Sequence, residues 1–293
     1  MLPKISIVTP SFNQGQFIEE TILSVLDQCY PNLEYIIIDG GSTDESVDII
    51  KHYSKKLQYW VSESDNGQAH AINKGFSRAS GQIFMWLNSD DLLLKESLNE
   101  IAIQYIKSSV PKKFIGLGRR IYINNESVVT KHLSYSFGMS NHQAIAWGVS
   151  RGPHQEATCW SKEIWKKYGP LNDELNYAFD LEFFLKILSL NIKPIFIPKF
   201  KGAWRQWESN KCTIGSSAMN KEVLIIKSHA RYSNSIFVNK YLKKIARKIT
   251  KISQTKWNYI SGLPKIGNHI SSNQTVKKPF IQILWKILFS KLI

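Results

Sequence analysis

Acidic side chains are absent from the last quarter of this sequence. No Asp or Glu follows Glu222, whereas residues 223–293 hold fourteen Lys and Arg. All 23 acidic side chains therefore lie in residues 1–222, together with 24 of the 38 basic ones. The net charge of +15 is thus a property of the C-terminal segment. A nearly neutral remainder argues against a protein that binds nucleic acid over its whole length.

Cysteine is also scarce. Cys29, Cys159 and Cys212 are far apart and form neither a CxxC pair nor the spacing of zinc ligands. A reducing compartment is therefore expected.

Long apolar runs are missing as well. No run reaches the roughly 18–20 residues of a membrane-spanning helix. The N-terminus turns polar at residues 9–16, too early for a signal peptide. Hydrophobic side chains nevertheless make up 43% of 293 residues, which is enough to bury a sizeable core. We expect a cytoplasmic globular protein, as one large domain or one domain with a tail.

Strand patterns alternate with amphipathic helix patterns from the N-terminus. This β-α-β-α-β-α-β order predicts a mostly parallel sheet with helices on both faces, a three-layer α/β/α fold. Ser42 and Glu45 form a capping-box pattern for the second helix. The predicted strands are residues 5–8, 35–38, 59–62 and 83–87, and the intervening helices end near residues 28, 53 and 79.

The second half is less regular. Residues 132–152 show no period, and we interpret them as a loop region. Strand patterns cover residues 114–117, 119–123, 154–160 and 192–197, a hairpin turn is predicted at 124–127, and helices are predicted at 162–167 and from near residue 180.

Two adjacent carboxylates follow the fourth predicted strand. Asp90 and Asp91 come after the buried run at residues 83–87, and ligands of open α/β sheets bind beyond the carboxyl ends of such strands. Paired acids there suit Mg²⁺ or Mn²⁺, which also take phosphate oxygens as ligands. The alternative is an N-cap for a helix predicted at residues 92–106. Both interpretations stay open, since one Asp could serve each purpose.

Asp39 and Asp65 occupy corresponding turns after the second and third strands. With Asp90 and Asp91 they would line one edge of a parallel sheet and form a nucleotide site, although each alone could be a turn residue. The sequence contains neither GxGxxG nor GxxxxGK[ST], so a common dinucleotide fold and a P-loop are both excluded.

Four motifs occur in order along the first hundred residues. They are Thr9-Pro10-Ser11-Phe12-Asn13, Asp39-Gly40-Gly41-Ser42-Thr43-Asp44, Asp65-Asn66-Gly67-Gln68 with Ala71-Ile72-Asn73-Lys74-Gly75, and Trp86-Leu87-Asn88-Ser89-Asp90-Asp91. Because of these motifs, the sequence resembles family 2 glycosyltransferases over roughly residues 3–215.

The resemblance implies a GT-A fold, a nucleotide-diphospho-sugar donor (a UDP-sugar is favoured) and Mn²⁺ or Mg²⁺. It implies that Asp39 and Asp65 hold the nucleoside, and that Asn88-Ser89-Asp90 stands at the DxD position. Asn88 departs from the family pattern: its amide can bond a ribose hydroxyl but is a poorer metal ligand. We therefore expect the metal on Asp90 and, less directly, on Asp91. The donor site would also include Thr9, Pro10 and Ser89.

The resemblance also assigns residues beside the transferred sugar. His154 and Gln155 match an "HQ" segment, although His154 could equally be a buried, hydrogen-bonded histidine. Asp180 matches the family's acidic motif, and a carboxylate at a helix start can act as general base. Glu182 points about 200° away on the same helix and is the second choice. The alternative for Asp180 is an N-cap.

Arg205 is the candidate for closing over the diphosphate, because the family commonly has a basic, aromatic loop here and a guanidinium can chelate phosphate. The family often has His where this sequence has Trp207. The alternative is a surface Arg between two Trp rings.

The segment after residue 222 differs in character. Residues 237–252 form a basic amphipathic pattern, and residues 280–293 form an apolar one that as a helix would be about 21 Å long, short of a roughly 30 Å bilayer core. We expect this tail to lie on an anionic membrane surface. The alternatives are that it packs on the catalytic domain or dimerises.

These observations predict two regions: a glycosyltransferase domain at residues 1–222, with its nucleotide half at 1–110 and its acceptor half at 111–222, and a tail at 223–293. The predicted activity is that of an inverting, metal-dependent, hexosyltransferase-type enzyme at the inner face of the cell membrane. Its acceptor would be a lipid-linked glycan of surface polysaccharide biosynthesis. A non-catalytic nucleotide-sugar binder and a basic-tailed nucleic-acid binder are the alternatives, and the neutral first 222 residues disfavour the second.

Overall fold

A computed structural model describes residues 1–135, 153–188, 192, 194–211 and 215–232. The predicted tail patterns at residues 237–252 and 280–293, most of the loop at 132–152, and Cys212 lie outside these ranges. Within the described ranges, no helix is both long and apolar enough to cross a membrane.

The described strands form one sheet in the order β3-β2-β1-β4-β8-β6-β9-β5, with β7 beside β6. The strands are β1 (Ile5–Ser11), β2 (Leu33–Asp39), β3 (Tyr59–Ser62), β4 (Ile83–Trp86), β5 (Leu92–Leu93), β6 (Ile115–Ile123), β7 (Val129–Tyr135), β8 (Thr158–Ser161) and β9 (Ile195–Arg205).

Strands β1 to β4 run parallel to one another, as predicted, whereas β4 pairs antiparallel with β8 on its other side. Strand β1 pairs with β2 and β4, and β2 pairs with β3. Ser11 is level with Asp39, which is level with Ser62, so these carboxyl ends meet at one edge. Every residue of β1 is buried, as expected for a strand covered on both faces.

Helices cover both faces of the sheet. Val8 and Trp86 belong to one apolar core, with α3, α5 and α6, whereas Ile7 and Met85 belong to a second core, with α1, α2 and α4. The predicted three-layer α/β/α fold is therefore confirmed. The helices are α1 (Gly15–Leu26), α2 (Ser46–His52), α3 (Gln68–Arg78), α4 (Ser97–Lys107), α5 (Lys162–Tyr168), α6 (Phe179–Leu188) and α7 (Ser216–Tyr232).

The helix predicted at residues 92–106 begins later than expected. Leu92 and Leu93 form β5, which pairs antiparallel with β9, and α4 starts only at Ser97. Asp90 and Asp91 are thus too far from the helix to cap it, and the N-cap alternative is wrong.

The predicted capping box at Ser42 and Glu45 is also wrong. Helix α2 begins at Ser46, whose N–H donates to Oδ1 of Asp44 at 3.0 Å, so the side chain that bonds this helix start is that of Asp44. The Ser42 hydroxyl instead donates to Oδ1 of Asp39 at 2.5 Å, because that buried carboxylate is the stronger acceptor.

The second half confirms some predicted elements and corrects others. The hairpin turn at residues 124–127 joins antiparallel strands β6 and β7, and the two strands predicted around Gly118 are one strand. The strand predicted at residues 154–160 is a 3₁₀ turn at Gln155–Ala157 followed by β8. The last predicted strand extends to Arg205, through the segment that we predicted to be a loop. Helix α7 runs through residue 222, where the sequence changes character.

Candidate functional site

Asp39 organises the loop after β2. Its side chain is fully buried and accepts hydrogen bonds from both the N–H and the hydroxyl of Ser42, at 2.8 and 2.5 Å, and from the Gly41 N–H at 3.1 Å. The Ser62 hydroxyl of the neighbouring strand donates a fourth bond at 2.7 Å. Asp39 therefore fixes the loop at the carboxyl edge of the sheet.

Asp65 lies against this loop. A Cβ placed on Gly40 would be 3.0 Å from Oδ2 of Asp65, so the Asp65 carboxylate packs closely against the Gly40 backbone. The other oxygen accepts a hydrogen bond from the Gly67 N–H at 2.7 Å. Phe12, at the end of β1, is 60% exposed and offers an aromatic face at the same edge.

Thr9 and Pro10 are buried within β1. The Thr9 hydroxyl is 3.1 Å from the Tyr35 hydroxyl, inside the core. The side chain of Thr9 thus supports the strand beneath the site.

A chain of polar contacts crosses the site beyond β4. Lys211 Nζ donates to Oε1 of Gln68 at 3.3 Å, and the Gln68 amide donates to Oδ1 of Asn88 at 2.8 Å. The Asn88 amide in turn donates to Oδ2 of Asp91 at 3.4 Å. Both the oxygen and the nitrogen of the Asn88 side-chain amide are thus hydrogen-bonded within the protein.

Asp90 and Asp91 occupy different surroundings. Asp91 is fully buried, where its Oδ1 accepts from the Arg205 N–H at 3.0 Å, while Asp90 is partly exposed and accepts from the Trp207 indole N–H at 3.1 Å. Burial raises the pKa of both carboxyls, and the neighbouring Asp90 and Glu156 raise that of Asp91 further. Asp90 is therefore the carboxylate of this pair that an incoming ligand can reach.

The adjoining Ser89 is 5% exposed, and its carbonyl accepts a hydrogen bond from the Thr21 hydroxyl at 2.9 Å. The Thr21 hydroxyl also contacts the Asp91 carbonyl at 2.9 Å. Helix α1 thereby supports the turn that carries Asp90.

Arg205 is fully buried at the end of β9. Its guanidinium donates to the carbonyl of Asp90 at 2.8 Å and to Glu20 at 2.5 Å. It also donates to the carbonyls of Asn124 and Asn125, both at 3.0 Å, and to the Ser127 hydroxyl at 2.9 Å. The guanidinium is thus hydrogen-bonded to five acceptors of the protein itself. It lies in a strand and is buried, whereas the sequence suggested either a loop residue that contacts the diphosphate or a surface Arg between two Trp rings.

The segment of His154 and Gln155 lies at the end of β4. Both side chains are buried, and the Gln155 amide donates to the Trp86 carbonyl at 2.7 Å. The next residue, Glu156, is 1% exposed and receives two hydrogen bonds from Arg120, at 2.5 and 2.8 Å.

This ion pair is near both Asp91 and Asp180. Arg120 lowers and Glu156 raises the pKa of each of the two carboxyls, so the pair is close enough to interact electrostatically with both.

Asp180 lies in the first turn of α6, which begins at Phe179. Its Oδ1 accepts from the N–H of the next residue, Leu181, at 2.6 Å, whereas a capping side chain bonds an N–H two or three residues on. Loss of hydration raises the pKa of Asp180 to about 6. Glu182 is paired with Lys186 at 2.9 Å instead. Of the two acids, Asp180 is the one suited to accept a proton near neutral pH.

The acids fit a divalent cation only in part. Over the described ranges, no group of three His, Cys, Asp or Glu side chains lies close enough to hold a metal. Asp90 supplies one accessible carboxylate, which suits Mg²⁺ or Mn²⁺ when phosphate oxygens and water complete the ligand set.

Sequence reasoning missed several members of this site. Arg120 and Glu156 are 36 residues apart, and Glu20 and Arg205 are 185 apart, so no local pattern links them. Gln68 and Lys211 were likewise not singled out. Trp207 could be noticed from the sequence, because the family that the sequence resembles often has His at this position.

Comparisons with known proteins agree with this geometry. The model of "Glycosyl transferase family 2" matches residues 6–150. A putative teichuronic acid biosynthesis glycosyltransferase, TuaG of Bacillus subtilis, is 41% identical over 101 residues, which are 33% of this chain and 40% of that protein. An uncharacterized glycosyltransferase of Mycobacterium tuberculosis is 29% identical over 199 residues, 67% of this chain and 72% of that protein. The chain thus spans less than half of the Bacillus subtilis relative.

Two solved structures share the fold. S. aureus TarS 1-349 in complex with UDP-GlcNAc superposes with a TM-score of 0.60 at 18% identity, covering 88% of this chain and 74% of that one. The mannosyltransferase PcManGT from Pyrobaculum calidifontis, in complex with GDP-Man and Mn²⁺, gives 0.51 at 15% identity, covering 89% and 84%. The GT-A type of fold is thereby confirmed.

Proposed function

The chain belongs to glycosyl transferase family 2, and we propose that it transfers a sugar from a nucleotide-diphospho-sugar to a hydroxyl group of an acceptor glycan. The observation that carries this proposal is the contrast between two acids, Asp90 and Asp180. Asp90 is a partly exposed carboxylate that follows β4, and Asp180 is a carboxyl with a pKa of about 6 that interacts with the charges of the Arg120–Glu156 ion pair.

The nucleoside occupies the edge formed by Asp39 and Asp65. The buried Asp39 fixes the loop that the nucleoside rests on, while Asp65 stays accessible for hydrogen bonds to base or ribose. Phe12 offers a stacking face to the base. Asn88 suits a ribose hydroxyl, since an amide both donates and accepts.

Asp90, with help from Asp91, would hold a Mn²⁺ or Mg²⁺ ion. Such an ion, when bound, neutralises charge that develops on the leaving diphosphate. Lys211 takes the role that the sequence suggested for Arg205: it is exposed beside Gln68 and faces the Tyr177 and Phe179 rings, with Nζ at 5.5 and 5.9 Å from their centroids.

Asp180 acts as the general base. It takes the proton of the acceptor hydroxyl while that oxygen attacks the anomeric carbon and the nucleoside diphosphate leaves with the bonding electrons. A single displacement inverts the anomeric configuration. His154 and Gln155 line the sugar side, and Glu182 remains the second choice of base.

The acceptor is a glycan of surface polysaccharide biosynthesis, in line with the name of the Bacillus subtilis relative. We further propose that it is lipid-linked and that the basic segment at residues 223–293 holds the enzyme at the anionic inner face of the cell membrane.

A thermal-shift screen tests the donor site. We expect one of the UDP-, GDP- or dTDP-sugars to raise the melting temperature, and Mn²⁺ to increase that gain. Asp90→Asn should lose the Mn²⁺-dependent part of the shift and keep the fold. A nucleotide-sugar that stabilises the protein without any turnover would instead support a binding protein, the class that Asn88 leaves open.

A further inference from the structure

The carboxylate of Glu222, the last acidic residue of the chain, lies against the loop that precedes α6. It accepts hydrogen bonds from three consecutive backbone N–H groups: Asn176 at 3.1 Å, Tyr177 at 2.9 Å and Ala178 at 2.9 Å. An ionised carboxylate has two acceptor oxygens and no donor group. It can therefore accept hydrogen bonds from several neighbouring N–H groups at once.

This loop leads directly into the turn that carries Asp180. Helix α6 begins at Phe179, one residue after Ala178. The three N–H groups that donate to Glu222 therefore belong to the residues immediately before this helix. The backbone that sets the position of Asp180 is thereby tied to α7.

Two further contacts fasten α7 to the same loop. A Cβ on Gly215 would lie 2.0 Å from Cε1 of the Tyr177 ring, so the chain before α7 packs on that ring with no room for a side chain. Farther along α7, Ile226 is buried in the core that contains Phe179 and Phe183. The Glu222 carboxylate is therefore held at a fixed place between these two contacts.

We propose that Glu222 is a positioning residue that sets the place of Asp180 through the loop at residues 176–178. The inference rests on the proposed role of Asp180 as the base. It adds a requirement that the proposed function alone does not make: a charged side chain on α7 that touches neither donor nor acceptor contributes to turnover.

Amide hydrogen exchange of the full chain tests the contact itself. In Glu222→Ala, the N–H groups of residues 176–178 should exchange about 10- to 100-fold faster, the effect of losing a hydrogen bond to a charged group. Lys221→Ala, an exposed neighbour on the same helix, is the control and should leave these rates unchanged. Equal exchange in Glu222→Ala and the unchanged protein would overturn the proposal.

Turnover tests the consequence, with whichever of UDP-N-acetylglucosamine and GDP-mannose supports transfer to an acceptor or to water. Glu222→Ala should lower kcat by about 10²-fold, the effect of a small misplacement of a reacting group, with donor KM within about twofold. Glu222→Gln retains one acceptor oxygen and the shape of the side chain, so its kcat should lie between those of the unchanged protein and Glu222→Ala. If the alanine variant does not fold, Glu222→Gln provides the test.

The double variants separate the two proposals. If Glu222 acts through Asp180, Glu222→Gln should cause no further loss of turnover in an Asp180→Asn background. An additional loss there, or a normal kcat of Glu222→Gln and Glu222→Ala alike, would overturn the positioning role. A near-normal kcat of Asp180→Asn alone would instead refute the proposed base.

Discussion

The indole N–H of Trp207 donates a hydrogen bond to Oδ2 of Asp90, at 3.1 Å. The Trp207 ring also meets Phe17 edge-on, with centroids 5.2 Å apart and planes at 69°. The proposed metal ligand is thus bonded to a neutral donor held by its own packing. A cation approaching Oδ2 has to displace that N–H or bind the other oxygen.

Substitution of Trp207 by Phe should tighten the binding of Mn²⁺ alone. The change removes the competing N–H and keeps a ring beside Phe17, so we expect an affinity gain on the order of 10-fold, the effect of one hydrogen bond to a charged group. Titration of free Mn²⁺ by electron paramagnetic resonance measures it. Trp204→Phe is the matched control, because Trp204 packs under Arg120 and not on Asp90. Weaker Mn²⁺ binding by Trp207→Phe would mean that the indole orients the carboxylate for the metal.

Arg205→Lys should destabilise the fold although the charge is kept. The guanidinium makes five side-chain hydrogen bonds in a planar arrangement that an ammonium with three N–H bonds cannot reproduce. Leaving buried polar groups without their hydrogen bonds costs roughly 1–3 kcal/mol of unfolding free energy. The ion pair with Glu20, whose side chain is 46% exposed, adds little to this. Denaturant unfolding measures the loss. Lys199→Ala, which breaks two surface ion pairs to Glu96 and Glu100, should scarcely move the midpoint. Equal midpoints for Arg205→Lys and the unchanged protein would contradict the network.

The sheet could be predicted because its signal is local. Strands β2 and β4 contain unbroken apolar runs and β1 and β3 mostly apolar ones, and their alternation with amphipathic helices leaves few other arrangements. The carboxyl-edge positions of Asp39, Asp65 and Asp90 followed from that order. Errors of a few residues, as at the start of α4, arose where a short strand pairs with a partner more than a hundred residues away.

The role of Arg205 could not be predicted because its environment is assembled from distant segments. A basic residue between two Trp in sequence is compatible with a surface loop, with a phosphate contact or with a buried cluster. Only the approach of α1, the β6–β7 turn and the Asp90 turn in space decides among them. The same holds for Glu156, which lies in the 3₁₀ turn, because its partner Arg120 lies on β6.

Asp180→Asn should lower turnover by about 10²–10⁴-fold with little change in donor affinity, the usual contribution of a general base. A base works only when deprotonated, so kcat of the unchanged enzyme should fall as the pH drops below the Asp180 pKa of about 6. The variant should lack this acidic limb. Glu182→Gln is the control and should keep both the rate and the limb. If instead Glu182→Gln lowers the rate and lacks the acidic limb while Asp180→Asn keeps both, Glu182 is the base. A product with retained anomeric configuration by NMR would contradict the single displacement.

The basic segment at residues 223–293 should bind the enzyme to an anionic membrane surface, where a lipid-linked acceptor would lie. Residues 223–293 carry fourteen cations and no acid, and each Lys or Arg near an anionic surface contributes roughly 1 kcal/mol. Contact by four of them would already give an affinity in about the millimolar range. Burial of the apolar side chains at residues 280–293 would tighten it. A chain that ends near Asn273 retains Glu222 and the whole of α7.

This shortened chain keeps ten of the fourteen cations but lacks the apolar segment, so it should sediment more weakly with vesicles that contain anionic lipid. It should also lose activity on a lipid-linked acceptor, while donor binding is unchanged. Salt should weaken vesicle binding of the full chain only in part, because burial of apolar side chains is not screened. Vesicles of neutral lipid are the control. Equal sedimentation of the full and shortened chains would exclude residues 274–293 as the anchor and favour their packing on the catalytic domain or on a second copy.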